Sequence, residues 1–437
     1  MNWLRKAPVP TRRTIWLLAL GVVVAFGWAW KGALILDLGL LLLCILDYTL
    51  TLGANQIQAG RNCKNRLSQG ISQEIEIILS NMGNLAKKVL VRDQPPMGWD
   101  TAPMFKKVIP ARSESRIYYR VTPPERGSHT FGGLWLRVEG PLGLMLRPIC
   151  LEAHEEIKVY PRLRSSGNAD LATHRRMARL SGFRQTKWRE DGRDFDALRE
   201  YVEGDDPRKI HWKATARLDR PIVQEFQPEK NQIVMILLDT GRLMGAVSAG
   251  KTKLDHALEA LGTLVHAVLS GGDQAGILAF SDRVISFVPP KRTPEQLQAI
   301  LEATLHLRPL PVETRYEQAI LRLRSKVRRR SLVVIFTDLM DEVSSEELMV
   351  AVTLLSPRHL PLCVAIRDSE WDDLMSGPPT GTQQVYERVA LHETLRQRAK
   401  GLRSLVQKGA LAMDLPPSRL SVATLERYMY VKKRGLL

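Results

Sequence analysis

Ile236-Leu-Leu-Asp-Thr-Gly-Arg-Leu-Met244 (residues 236–244) sets a carboxylate at the end of an apolar run. Such a run fits a strand buried on both faces, and Asp239 then stands where the chain leaves the sheet. The pattern recurs from Gln232 onward, predicting strands over residues 233–238, 274–280, 284–288, 332–337, 362–366 and 410–414. Amphipathic stretches between them predict helices over residues 253–269, 294–307, 316–327, 345–355, 385–406 and 417–430. This alternation builds a mostly parallel α/β sheet covered on both faces, which holds ligands beyond the carboxyl ends of its strands.

Three oxygen-bearing residues fall at that edge: Asp239, Thr314 in the loop before Tyr316, and Asp338 after Leu332-Val-Val-Ile-Phe-Thr337. The set resembles the metal-ion-dependent adhesion site of von Willebrand factor A domains. There, Asp-x-Ser-x-Ser follows the first strand, a Thr comes from a later loop and an Asp follows the fourth strand. Asp239, Thr314 and Asp338 match, while Gly241 and Leu243 occupy the two serine places. The resemblance implies a Rossmann-like fold and a degenerate site for Mg²⁺ or Mn²⁺ at Asp239, Thr314 and Asp338. Mg²⁺ takes about six oxygens, so waters or the Thr240 hydroxyl would have to replace the missing serines. Arg242 offers another solution, a guanidinium between Asp239 and Asp338 that supplies the positive charge itself. On either solution Asp239, Thr240, Gly241, Arg242, Leu243, Thr314 and Asp338 form the expected binding rim.

At the other end of the chain, residues 14–30 carry no charge, and residues 33–52 are apolar apart from Asp37 and Asp47. Each stretch is near the ~20 residues a helix needs to cross ~30 Å of hydrocarbon, with only Lys31-Gly32 between them. Arg5, Lys6, Arg12 and Arg13 precede the pair and Arg61, Lys64 and Arg66 follow it, which places both flanks in the cytoplasm. The expectation is a two-pass transmembrane hairpin over residues 1–66 in a bacterial inner membrane, with the bulk of the chain cytoplasmic. A cleaved signal peptide competes for the first segment, but a second apolar segment follows it at once. Asp37 and Asp47 suggest a proton path, or more simply groups near segment ends that face water or headgroups.

Residues 67–161 change to alternation, as in Glu74-Ile-Glu-Ile-Ile-Leu79 and Arg116-Ile-Tyr-Tyr-Arg-Val121, with Pro- and Gly-rich turns between. An all-β, immunoglobulin-like sandwich is expected, serving as a spacer or docking module. A polar linker follows over residues 162–230. In it Phe195, Leu198 and Tyr201 recur at helical spacing, Gly204 stops the turn, and Asp206-Pro207 reads as the start of a short helix over residues 207–217. Its Gly204-Asp-Asp-Pro-Arg208 element stands close to His211 and Trp212. His211 near Asp205 and Asp206 raises a hydrolytic alternative, but no second His or paired Ser or Cys nucleophile accompanies it. Capping and Arg-carboxylate contacts account for these residues more simply.

The balance of 63 Lys and Arg against 46 Asp and Glu gives +17, which favours an anionic or acidic partner. Part of that charge sits in Arg322, Arg324, Lys326, Arg328, Arg329 and Arg330, where cations suit a helix carboxyl end. Anionic lipid is the functional alternative, and nucleic acid is the weaker one because no recognised reading motif accompanies the charge. The four cysteines, Cys44, Cys63, Cys150 and Cys363, are too scattered for a zinc site or a disulfide framework.

The whole succession resembles the bacterial domain of unknown function 58 family: two apolar segments, a β module with Gly140-Pro-Leu-Gly-Leu144, then Leu198-Arg-Glu-Tyr-Val-Glu-Gly-Asp-Asp-Pro-Arg-Lys-Ile-His-Trp-Lys-Ala-Thr-Ala-Arg217 ahead of the Asp239 strand end. That resemblance implies a non-enzymatic, membrane-anchored adaptor or assembly factor. It also implies action with a MoxR-type AAA+ ATPase through an α/β domain over residues 231–437, which ends in the basic helix around Glu426 to Lys433.

Overall fold

The computed structural model describes residues 8–27, 30–51, 56–162, 194–202, 210–227, 231–339, 342–376, 378–379 and 381–437. They fall into two units, Met1–Arg162 and Leu163–Leu437.

The first unit joins the apolar segments to the β module. Its strands are β1 (Val9–Pro10), β2 (Ile57–Asn62), β3 (Arg66–Ser68), β4 (Gln73–Asn81), β5 (Lys87–Arg92), β6 (Phe105–Ile109), β7 (Ser113–Val121), β8 (Gly127–Phe131), β9 (Leu134–Glu139), β10 (Met145–Leu151) and β11 (Glu155–Tyr160). They pair in three sheets, ordered β1-β10-β9-β5-β6, β3-β11-β8 and β2-β4-β7. The period of two in β4 and β7 turns Ile75, Ile77 and Leu79 with Ile117, Tyr119 and Val121 into one core. Within it, Arg61 and Tyr119 both donate to the buried Asp93 carboxylate.

The transmembrane hairpin and the two-pass inner-membrane placement expected from the sequence are not supported. Among the described residues, no helix is long and apolar enough to cross a membrane. Helix α1 (Arg12–Gly27) has 16 residues, about 24 Å at 1.5 Å per residue, and so falls short of the hydrocarbon core. Helix α2 (Trp30–Leu50) contains Asp37 and Asp47, and Asp47 is 0% exposed. Its carboxylate accepts from the backbone N–H of Leu142 (2.7 Å), Leu144 (2.9 Å) and Met145 (2.8 Å). At the start of α1, the hydroxyls of Thr11 and Thr14 donate to the carbonyls of Gly143 and Leu144. Both helices are thus tied to the turn between β9 and β10. Asp47 is a structural anchor there and does not face water.

In the second unit, β12 (Asp194–Glu200) pairs antiparallel with β13 (Ile222–Gln227). The helical spacing of Phe195, Leu198 and Tyr201 is therefore overridden, because a partner strand more than twenty residues downstream supplies the ladder. Helix α3 (Trp212–Leu218) starts later than expected, capped by His211 rather than Asp206.

The main sheet of this unit has the order β18-β17-β14-β19-β20-β21, comprising β14 (Ile233–Asp239), β17 (Gln274–Phe280), β18 (Val284–Lys291), β19 (Ser331–Thr337), β20 (Leu360–Ile366) and β21 (Leu411–Leu415). All pairs are parallel except β17 with the edge strand β18. Every residue of β14 and β19 is buried, as strands covered on both faces require. One face packs under α4 (Lys253–Ser270), α5 (Gln296–Thr304) and α10 (Pro417–Lys433). The other packs under α6 (Tyr316–Lys326), α7 (Glu342–Leu355) and the second half of α9 (Thr382–Gln407). A short antiparallel pair, β15 (Val247–Ser248) with β16 (Lys251–Thr252), leads into α4, and α8 (Glu370–Met375) follows β20.

Candidate functional site

β14 and β19 run parallel and end side by side, so Asp239 and Asp338 leave the sheet at the same edge. Asp239 is 1% exposed, and its carboxylate is saturated by its own surroundings. Oδ1 accepts from Gly241 N–H and the Thr314 hydroxyl, each at 2.7 Å. Oδ2 accepts from the Thr337 hydroxyl at 2.7 Å, and Tyr316 OH stands 3.5 Å away. Burial raises the Asp239 pKa above its usual 3.8 despite the donors Gly241, Thr314 and Thr337, and the Asp338 charge raises it further.

Asp338, 0% exposed, is balanced differently. Lys253 Nζ lies 2.7 Å from Oδ2, and Arg398 Nη1 lies 2.5 Å from Oδ1. Lys253 also pairs with Asp368 Oδ1 at 3.0 Å, and Arg398 Nη2 with Asp414 Oδ1 at 2.7 Å. The Trp371 ring lies beside both cations, 5.8 Å from Lys253 Nζ and 5.3 Å from the Arg398 guanidinium carbon. Two cations and three carboxylates thus form one largely buried network. Lys253 reaches it from the first turn of α4, whose entry is set by the Thr252 hydroxyl accepting from Asp255 N–H.

The other expected rim residues have local structural roles. Thr240 donates its hydroxyl to Phe280 O at 2.9 Å, and Leu243 is half-buried in a short 3₁₀ turn, Arg242–Gly245. Arg242 does not bridge Asp239 and Asp338: its guanidinium turns outward to Glu313, with Nη2 2.8 Å from the carboxylate. The charge-supplying role expected of Arg242 belongs instead to Lys253 and Arg398. Gly241 fills a serine place for a steric reason, since a Cβ there would collide with the Thr314 hydroxyl.

A divalent cation does not fit these donors. Both oxygens of Asp338 face a cation, and those of Asp239 are taken by internal donors. Among the described residues, no three His, Cys, Asp or Glu side chains gather in a group that could hold a metal ion.

Gly204, Asp205, Asp206, Pro207 and Arg208 lie outside the described residues. His211 caps α3, its Nδ1 accepting from Ala214 N–H at 3.0 Å, and Trp212 is 71% exposed.

Sequence reasoning missed Lys253, Arg398, Asp368, Trp371 and Asp414. One signal was present: Arg398 lies seven residues from both Leu391 and Leu405, on the buried stripe of α9. A cation on an apolar stripe announces a buried carboxylate.

Three uncharacterized proteins, two from strains of Mycobacterium tuberculosis and one from Mycobacterium bovis, are each 25% identical to this chain over 254 residues, 54% of this chain and 78% of theirs. Among solved structures, the conserved hypothetical protein BatB from Bacteroides thetaiotaomicron aligns with 46% of this chain and 100% of its own at 15% identity, with a TM-score of 0.31. The CARDB domain of a Pyrococcus furiosus protein aligns with 24% of this chain and 86% of its own at 12% identity, with a TM-score of 0.19. Likenesses this weak decide nothing about activity. Residues 197–397, which run from β12 through the rim to the middle of α9, match the model of the family described as Protein of unknown function DUF58.

Proposed function

We propose that the α/β unit is a protein-binding module of von Willebrand factor A type, and that the chain is an adaptor or assembly factor acting with a MoxR-type AAA+ ATPase. The observation that carries this reading is the internal saturation of the rim. Asp239 and Asp338 sit at the carboxyl edge of a parallel sheet, the usual ligand edge, yet each carboxylate is occupied by donors or cations of its own chain. A general base or nucleophile needs a free lone pair within reach of substrate. A rim whose two carboxylates are engaged internally is instead a rigid platform, and the exposed Arg242–Glu313 pair offers polar contacts on its outer side.

The test is capture of the host's purified MoxR-type ATPase on the full chain, with and without a crosslinker. Capture is expected, and Arg242→Glu with Glu313→Arg should weaken it without altering the folded state. Failure to capture the ATPase under crosslinking would remove the partner assignment. Turnover of an ester or phosphoester by the purified chain, lost in His211→Ala, would replace the adaptor with a hydrolase.

A further inference from the structure

At the amino ends of the strands, opposite the rim, two basic loops meet. Helix α6 passes through Val327-Arg-Arg-Arg330 into β19, and the turn after α7 passes through Pro357-Arg358-His359 into β20. Because β19 and β20 pair in parallel from Leu332 opposite Leu360, the two loops emerge at one edge. Arg324, Arg328, Arg329 and Arg358 are exposed there, and none has a carboxylate partner among the described residues. Arg330 gives one bond to the Leu436 carbonyl at 3.1 Å.

His359 lies within this group at 2% exposure. Its Nδ1 is 2.7 Å from Ser331 Oγ, and its Nε2 is buried without a hydrogen-bond partner among the described residues. In the tautomer where the Ser331 hydroxyl donates to Nδ1, the ring proton sits on Nε2 and is a buried donor that lacks an acceptor. Buried donors are almost always satisfied, and unopposed guanidinium groups repel one another. A bound polyanion relieves that repulsion, and its charge acts on the His359 ring beside Arg358, Arg324 and Arg330. Planar guanidinium forks match phosphate oxygens, and four unpaired arginines exceed what a single negative charge would balance.

We propose that Arg324, the loops of residues 327–330 and 356–359, and His359 form a binding site for a multiply charged phosphate anion such as a diphosphate or triphosphate group. This site is separate from the rim and independent of the protein partner proposed there.

Inorganic pyrophosphate titrated into the full chain by calorimetry is the test, with His359 followed by NMR. One equivalent should bind, with affinity falling as salt is raised. The Arg324→Gln/Arg358→Gln variant, altered only at exposed side chains, should bind about tenfold more weakly or worse. The Asp239→Asn variant at the rim should bind as the wild type does. The His359 pKa is pushed down to about 4 by burial and then by Arg358, Arg324 and Arg330, and it should rise when pyrophosphate is present. No binding, binding unchanged in the double arginine variant, or an unmoved His359 would each overturn the site. An oligonucleotide binding through the same arginines about tenfold more tightly than pyrophosphate would replace the small anion with nucleic acid.

Discussion

The Lys253 ammonium stands 2.7 Å from the Asp338 carboxylate, and their side chains are 1% and 0% exposed. Removing one partner of such a pair leaves an uncompensated buried charge, which costs more than the pair contributes while intact. Lys253→Met leaves Arg398 alone in this network against Asp338, Asp368 and Asp414, and should destabilise the α/β unit by up to about 3–5 kcal/mol in urea unfolding. Lys253→Met with Asp338→Asn should recover part of that loss, because one cation and one carboxylate leave the network together and Arg398 keeps Asp414 as its partner. A double variant as unstable as the sum of the two single variants would show that the residues act independently. At the surface, Arg242→Ala should cost less than about 1 kcal/mol, since its pairing with Glu313 is solvent-screened.

The same two cations decide how the rim responds to metal. A divalent ion approaching Asp338 meets the charges of Lys253 and Arg398 at close range. Neither Mg²⁺ nor Mn²⁺ should give binding heat at the rim, and EDTA should leave the thermal midpoint unchanged. Stoichiometric Mn²⁺ binding that disappears in Asp239→Ala would show that the resident cations yield to metal.

Gly241 admits the Thr314 hydroxyl to Asp239 because it has no Cβ. Gly241→Ala should push Thr314 away, break its bond to Asp239 and cost about 1–3 kcal/mol as an overpacking change. Gly60→Ala is the control: it lies within β2, and a Cβ there meets nothing within 4 Å. Equal effects at the two glycines, read from denaturant midpoints, would contradict the steric explanation of the Gly241 place.

Legibility followed the range of the interaction. The strands around Asp239 could be read because each is a continuous apolar run whose burial is written into itself, and the convergence of Asp239 with Thr314 follows from strand order. Asp47 could not be read, because its acceptor role depends on amides 95 to 98 residues away. An acidic residue in an apolar helix looks the same in sequence whether it meets lipid headgroups or a protein turn. Lys253 and Arg398 reach Asp338 across 85 and 60 residues, so the resident cations were invisible while the nearby Arg242 was conspicuous. The strand Asp194–Glu200 failed for another reason: seven residues are too few to separate a period of 3.6 from a period of 2.

Asp239 makes the rim sensitive to pH in a direction opposite to that of most carboxylates. Burial raises its folded pKa above the usual 3.8, so the native state holds the proton more tightly than the unfolded chain does. The resulting stability is fully present below 3.8 and is lost as pH rises through the raised value. In Asp239→Asn the amide oxygen still accepts from Gly241 and Thr314, and its amide N–H₂ finds an acceptor in the Thr337 or Tyr316 hydroxyl. The variant carries no titrating group at this position. Urea midpoints measured from pH 4 to pH 8 should show the wild type losing stability relative to Asp239→Asn as pH rises, then running parallel above the folded pKa. Carboxylates remote from Asp239 contribute equally to both proteins and cancel in the difference. A wild type that instead gains on the variant with rising pH would mean that the donors of Gly241, Thr314 and Thr337 outweigh burial, and Asp239 would then be a stabilised anion.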